Sequence, residues 1–201
     1  MSYTTPPKDM LFDIEHPTNI GEIAMLPGIE EQACARFNQN VVVPLNIEGD
    51  RNPSPFKGGA VTTTPGVKGA FAQDVSGGRQ GLQHAADFGG QGLPKTIGAA
   101  GGEMVNSANM SFALCPLLSD GAIEALLTAG SHDLNAVYLA KLVSRQWTDT
   151  MHFTEPQPDD TYKVFDTKIF ITDGEHKMAE NVVQAWRQRE TLISSADNLA
   201  H

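Results

Sequence analysis

The feature that most constrains the fold is a change of character at Trp147. Before it, residues 107–147 carry apolar side chains at helical spacing. Phe112, Cys115 and Leu118 share one face, and Ile123, Leu126 and Leu127 continue the pattern. Ser119 is placed to cap a new turn between these two groups. Gly130 suits the position just past a helix end, and Ser131 the cap of the next helix, whose Leu134, Val137, Tyr138 and Leu142 point inward. After Trp147, residues 148–154, 161–165 and 168–172 are rich in Thr, Val, Ile and Phe and read as strands. This order predicts a mainly α chain with a small β part. The expected divisions are a helical domain over 1–147, a short β domain over 148–178 and a tail over 179–201. In that tail Val182, Val183 and Trp186 have helical spacing, ahead of a disordered end.

The first half is more broken. Residues 28–43 look helical, and Pro44 is expected to end that pattern. Residues 48–81 are rich in Gly, Pro, Thr and Asp and read as a surface loop with one short helix near 66–75. The turn Gly89-Gly90-Gln91-Gly92 leads through Pro94, a good first-turn residue, into a helix that runs through Glu103.

Hydrophobic residues make up 40% of the 201 and charged residues 19%, enough apolar content for a packed core. The net charge of −10 disfavours a nucleic-acid partner, because most of the surface would repel a phosphate backbone. For Cys34 and Cys115, two buried free thiols are the plainer reading, with one disulfide as the alternative. No apolar run approaches about 18 residues, so no membrane-spanning helix is expected. The start of the chain lacks the basic and apolar regions of a signal peptide, so a cytoplasmic location is expected.

Several chemistries lack their residues. The glycine turn fails as a dinucleotide fingerprint because Lys95, not glycine, lies three positions after Gly92. It fails as a P-loop because Pro94 removes a donor beside that lysine. The expected role is a tight loop entering a helix. The six histidines form no H-x-x-x-H pair and have no cysteine at ligand spacing, so no metal is expected. His176 and Glu180 are four apart, as on a solvated helix face. No G-x-S-x-G elbow is present. What remains is Thr154 and Thr172, each beside apolar residues on an expected strand. A flavin needs donors near N5 and the pyrimidine edge and an apolar wall. These threonines could supply the donors, and Met151, Phe153 and Phe170 the wall; a plain sheet is the alternative.

The order of motifs sharpens this. "GGQGL" (89–93), "LLTAGS…YLAKLVS…W" (126–147), "TEP" (154–156) and "TKIFIT.GEH" (167–176) together resemble the acyl-CoA dehydrogenase family of flavoproteins. "TTPPKDMLFDIEH", "PLNIEGDRNPSPFK" and "GGQGLPKTIG" are similar to the branch that includes the 3-methylthiopropionyl-CoA dehydrogenases. The resemblance implies an N-terminal helical domain, then an incomplete start of the family's middle β domain. It implies FAD, with Met151, Phe153, Thr154, Phe170 and Thr172 as cofactor residues, and Met104 and Val105 lining the acyl pocket. The implied reaction is α,β-dehydrogenation of an acyl-CoA thioester, with an electron-transferring flavoprotein as acceptor.

This sequence departs from that pattern. The family's T-E-P-x-A-G-S-D continues here as "TEPQPDDTYKVF", and Asp166 stands where a glycine is expected between two strands. The family's helical C-terminal domain has no counterpart, and no glutamate matches the catalytic base; Glu155 belongs to the flavin-side motif. The expectation is a shortened homologue that is inactive alone. It could pair with itself or with a full-length homologue. The alternatives are a non-catalytic interaction module and a decayed reading frame.

Overall fold

The structure, a computed structural model, describes residues 29–152, 172, 176, 178–187 and 192–194. Two compact units divide it, Met1–Ala113 and Leu114–His201.

In the first unit, helix α1 (Ile29–Phe37) runs through a π-helical turn (Asn38–Val42) into α2 (Val43–Arg51). Pro44 therefore does not end the helical pattern. The wide turn, in which the Val43 N–H donates to the Asn38 carbonyl, restarts the helix one residue before the proline. Pro44 then lies in the first turn of α2, where a missing N–H costs nothing. Strands β1 (Phe56–Lys57) and β2 (Ala60–Val61) pair antiparallel across Gly58 and Gly59, whose φ of 63° and 80° suit a tight hairpin. The short helix expected near 66–75 is α3 (Val67–Ser76). Helix α4 (Lys95–Ala108) follows the glycine turn and packs Met104 with Cys34, Ala35 and Leu82, with Leu93 against them. The Phe37 ring meets Phe112 at 6.4 Å between centroids, and the Arg79 guanidinium lies 4.0 Å from the Phe37 centroid. Cys34 and Cys115 are both buried and form no disulfide.

Asn109 separates two helices. It is extended, and its Oδ1 accepts the Phe112 N–H at the start of α5 (Met110–Ala129). Ser119 does not cap a new turn. It is fully buried inside α5, and its hydroxyl donates to the Cys115 carbonyl at 3.2 Å. By length and composition alone α5 could cross a bilayer. Its Ile123 and Leu126 are instead core residues, while Leu127 is 42% exposed.

Helix α6 (His132–Val143) starts as expected, with Ser131 Oγ accepting the Leu134 N–H at 3.3 Å. Its buried residues are Leu139, Leu142 and Val143, and Val137 is 50% exposed rather than inward. Tyr138 and Lys141 instead cover the Trp147 ring, at 5.8 Å between rings and 3.9 Å from ammonium to centroid. Strand β3 (Trp147–His152) opens the β part, as expected for 148–154. β4 (Asn181–Arg187) pairs parallel with β3, and β5 (Leu192–Ser194) pairs antiparallel with β4. The helix expected around Val182, Val183 and Trp186 is thus a strand. Val182 and Val183 are both buried although neighbours on a strand face opposite ways, the pattern of a strand covered on both faces. The other expected strands, 161–165 and 168–171, lie outside the described residues.

Candidate functional site

Four residues before the strand, α6 ends in a turn. Arg145 takes a left-handed φ of 57°, its N–H donates to the Leu142 carbonyl, and the residue is only 2% exposed. β3 follows that turn within the second unit. Thr148, Asp149 and Thr150 are all fully buried there. Because successive side chains alternate, both faces of β3 are covered. One face holds Thr148 and Thr150. Thr148 Oγ1 is 2.9 Å from His176 Nε2, and Thr150 Oγ1 donates to the Thr172 carbonyl at 2.6 Å. His176 Nδ1 accepts the Met178 N–H at 3.2 Å, so in the neutral ring the proton sits on Nε2 and is donated to Thr148. Two threonine hydroxyls thereby hold Thr172 and His176 against the strand.

The other face carries Asp149. Its backbone N–H donates to Ser119 Oγ at 3.3 Å, tying β3 to α5. Neither carboxyl oxygen has a hydrogen-bond partner among the described residues. Burial pushes the carboxyl up to about 8; the nearby Thr150 amide opposes this without making a full hydrogen bond. A carboxyl so placed is held neutral, because an unpaired buried charge is far costlier than a buried acid.

Burial also lowers the His176 pKa. The neutral ring is the form that donates to Thr148. A folded pKa below the unfolded value gives stability that is complete above about 6.5 and lost as pH falls toward the folded value. In thermal melts the native chain is expected to lose Tm relative to His176→Gln, which keeps a side-chain amide donor but does not titrate, as pH falls below about 6.5. Identical pH profiles for the two proteins would refute the assignment.

Of the residues expected to hold a cofactor, Met151 lies on β3 and Thr172 is exposed in a turn. Phe153, Thr154 and Phe170 lie outside the described residues. The hydrogen bond from Thr150 brings the Met151 strand and the Thr172 segment together, the two pieces a flavin shelf would use. Of the acyl-pocket residues, Met104 is 1% exposed within the first unit's core and Val105 is half-buried. The glycine turn is no phosphate cradle. Its Gly90, Gln91, Gly92 and Leu93 N–H groups donate to the carbonyls of Ala85, Gly81, His84 and Leu82, at 2.8–3.1 Å. His176 is not on a solvated helix face, since residues 178–180 form a bend and the ring is half-buried.

Asp149 and the partner of His176 are not among the residues that sequence motifs single out. One signal was present: an isolated acid between two threonines in a strand pattern. The pairing of His176 with Thr148 has no local signal, since 28 residues separate them.

No family model matches the chain. It is 40% identical over 208 residues to 3-methylmercaptopropionyl-CoA dehydrogenase from Ruegeria pomeroyi, covering 91% of this chain and 35% of that protein. It is 30% identical over 164 residues to butyryl-CoA dehydrogenase from Syntrophomonas wolfei, covering 72% of this chain and 27% of that one. The chain thus spans only about a quarter to a third of the length of these curated relatives. Among solved structures, butyryl-CoA dehydrogenase from Megasphaera elsdenii superposes with a TM-score of 0.63 at 16% identity, over 86% of this chain and 49% of that one. A chain from the structure of the electron transferring flavoprotein of Acidaminococcus fermentans superposes at 0.60 and 17% identity, over 80% of this chain and 43% of that one. These two likenesses carry the fold, and the curated relatives carry the descent: the chain belongs to the acyl-CoA dehydrogenase family and corresponds to its helical N-terminal portion.

Proposed function

We propose that this segment forms the flavin-side shelf of an acyl-CoA dehydrogenase and does not dehydrogenate a thioester by itself. The observation that carries this reading is the Thr150–Thr172 hydrogen bond, which apposes the Met151 strand and the Thr172 segment. Met151 and Thr172, with Phe153, Thr154 and Phe170, would hold FAD between apolar wall and hydrogen-bond donors. When bound, FAD supplies a hydride acceptor for the substrate's β hydrogen. The chain's own part is to orient: the threonine bonds fix the segment spacing, and alignment of flavin and thioester governs the rate. Met104 and Val105 are assigned to the acyl end of the substrate. An electron-transferring flavoprotein as electron acceptor belongs to the same reading. No glutamate among the 201 residues matches the family's base, so proton abstraction is assigned to groups outside this segment.

FAD titration of the purified chain, followed by visible absorbance, tests this. A saturable flavin spectrum without reduction by short acyl-CoA thioesters is expected. A colourless protein that ignores FAD would refute the shelf and favour the non-catalytic interaction reading. Turnover of a thioester by the isolated chain would refute the inactivity.

A further inference from the structure

We propose that Asp149 is a proton-operated latch. With its carboxyl protonated, β3 stays docked on α5 through Ser119, and on ionisation that contact opens. Three observations support the latch. Asp149 is fully buried, and neither carboxyl oxygen has a partner among the described residues. Its own N–H makes the bond to Ser119, so strain at this residue acts directly on the strand–helix contact. Ser119 is itself fully buried and anchored to the Cys115 carbonyl, so the helix side of the contact is fixed.

The charged and titratable groups on the elements around β3 do not relieve Asp149. Asp120 and Glu124 on α5 carry its own sign. Lys141 is committed to the face of Trp147 and His176 to Thr148. Among the described residues, no hydrogen bond reaches the Asp149 carboxyl from Arg145 or Glu180, nor from Cys115 on α5 or His132, Asp133 and Tyr138 on α6. Ionisation therefore leaves a buried charge, which the strand relieves by moving its side chain to water.

The sign follows from linkage. The unfolded carboxyl titrates near 3.8 and the folded one at about 8. The folded state holds the extra proton between these values. The constant for closing the latch is greatest below the value of the exposed carboxyl and falls tenfold per pH unit up to that of the buried one. Below about 6.5 the titration of His176 works in the opposite direction, so the window from there to about 8 reports Asp149 alone of the two.

The test is amide hydrogen exchange on the full chain across that window, with rates corrected for the intrinsic effect of pH. The Asp149 amide in the latch and the Ala70 amide in α3, bonded to the Gly66 carbonyl at 2.9 Å, are compared. Protection of Asp149 is expected to fall about tenfold per pH unit while Ala70 stays level. In Asp149→Asn, which keeps the shape and cannot ionise, both amides should stay level. A level profile for Asp149 in the native chain overturns the proposal. So does an equal fall in Asp149→Asn, or a fall of Ala70 in step with Asp149, which would mean global unfolding rather than a latch. None of these readings depends on FAD, so the latch can fail while the flavin shelf stands, and the reverse.

Discussion

Gly90→Ala is expected to destabilise the first unit by about 2–4 kcal/mol, the upper part of the usual range for overpacking plus one lost hydrogen bond. A β-carbon at Gly90 would fall on the carbonyl group of His84 and crowd the Ala85 carbonyl. Both are backbone atoms, so no flexible side chain can swing away. The His84 carbonyl also accepts the Gly92 N–H, and the Ala85 carbonyl accepts that of Gly90. Pushing them apart therefore breaks the bonds that close the turn. Gly101→Ala is the control: it lies within α4 with open space around its β position. There alanine should stabilise by about 0.5–1 kcal/mol, because it restricts the unfolded chain and favours the helix. Urea midpoints of the two variants should thus move in opposite directions. Equal small shifts would show that the glycine turn is not closed on residues 81–85.

That turn shows what was legible in the sequence. The glycine spacing and Pro94 excluded two nucleotide motifs and pointed to a tight loop entering a helix, and such a loop is present. Local signals were equally reliable for the Ser131 cap, the short helix α3 and the start of β3. The errors arose where a distant partner decides. Pro44 stops an α-helix only if the helix keeps its register, and the π-turn changes the register. Ser119 reads as a cap because nothing nearby reveals that its hydroxyl receives an N–H from 30 residues on. Val182 and Val183 fit a helix until a parallel strand pairs with them, and that strand is β3. The site follows the same rule. The motif order pointed to Met151 and Thr172, whereas the burial of Asp149 comes from packing on both faces of β3, which no short window encodes.

Helix α6 offers the sharpest test of packing against periodicity. Leu139→Ala should cost about 2–5 kcal/mol, the range for emptying a buried leucine site, because Leu139 is fully buried. Val137→Ala should change stability by less than about 0.5 kcal/mol, because half of that residue faces solvent and alanine is the better helix former. Spacing alone ranks these two the other way. It places Leu134, Val137, Tyr138 and Leu142 on the inner stripe and leaves Leu139 off it. Both stripes share Leu142, so the helix differs only by a rotation about its axis. Trp147 decides that rotation: its ring takes Tyr138 and Lys141, one helical turn apart and three residues apart in sequence, as its cover. With those two positions turned toward the indole, Leu139, Leu142 and Val143 fall on the buried side. Denaturation of the two variants measures the rotation directly. A larger loss in Val137→Ala than in Leu139→Ala would mean that Trp147 does not set the face of α6.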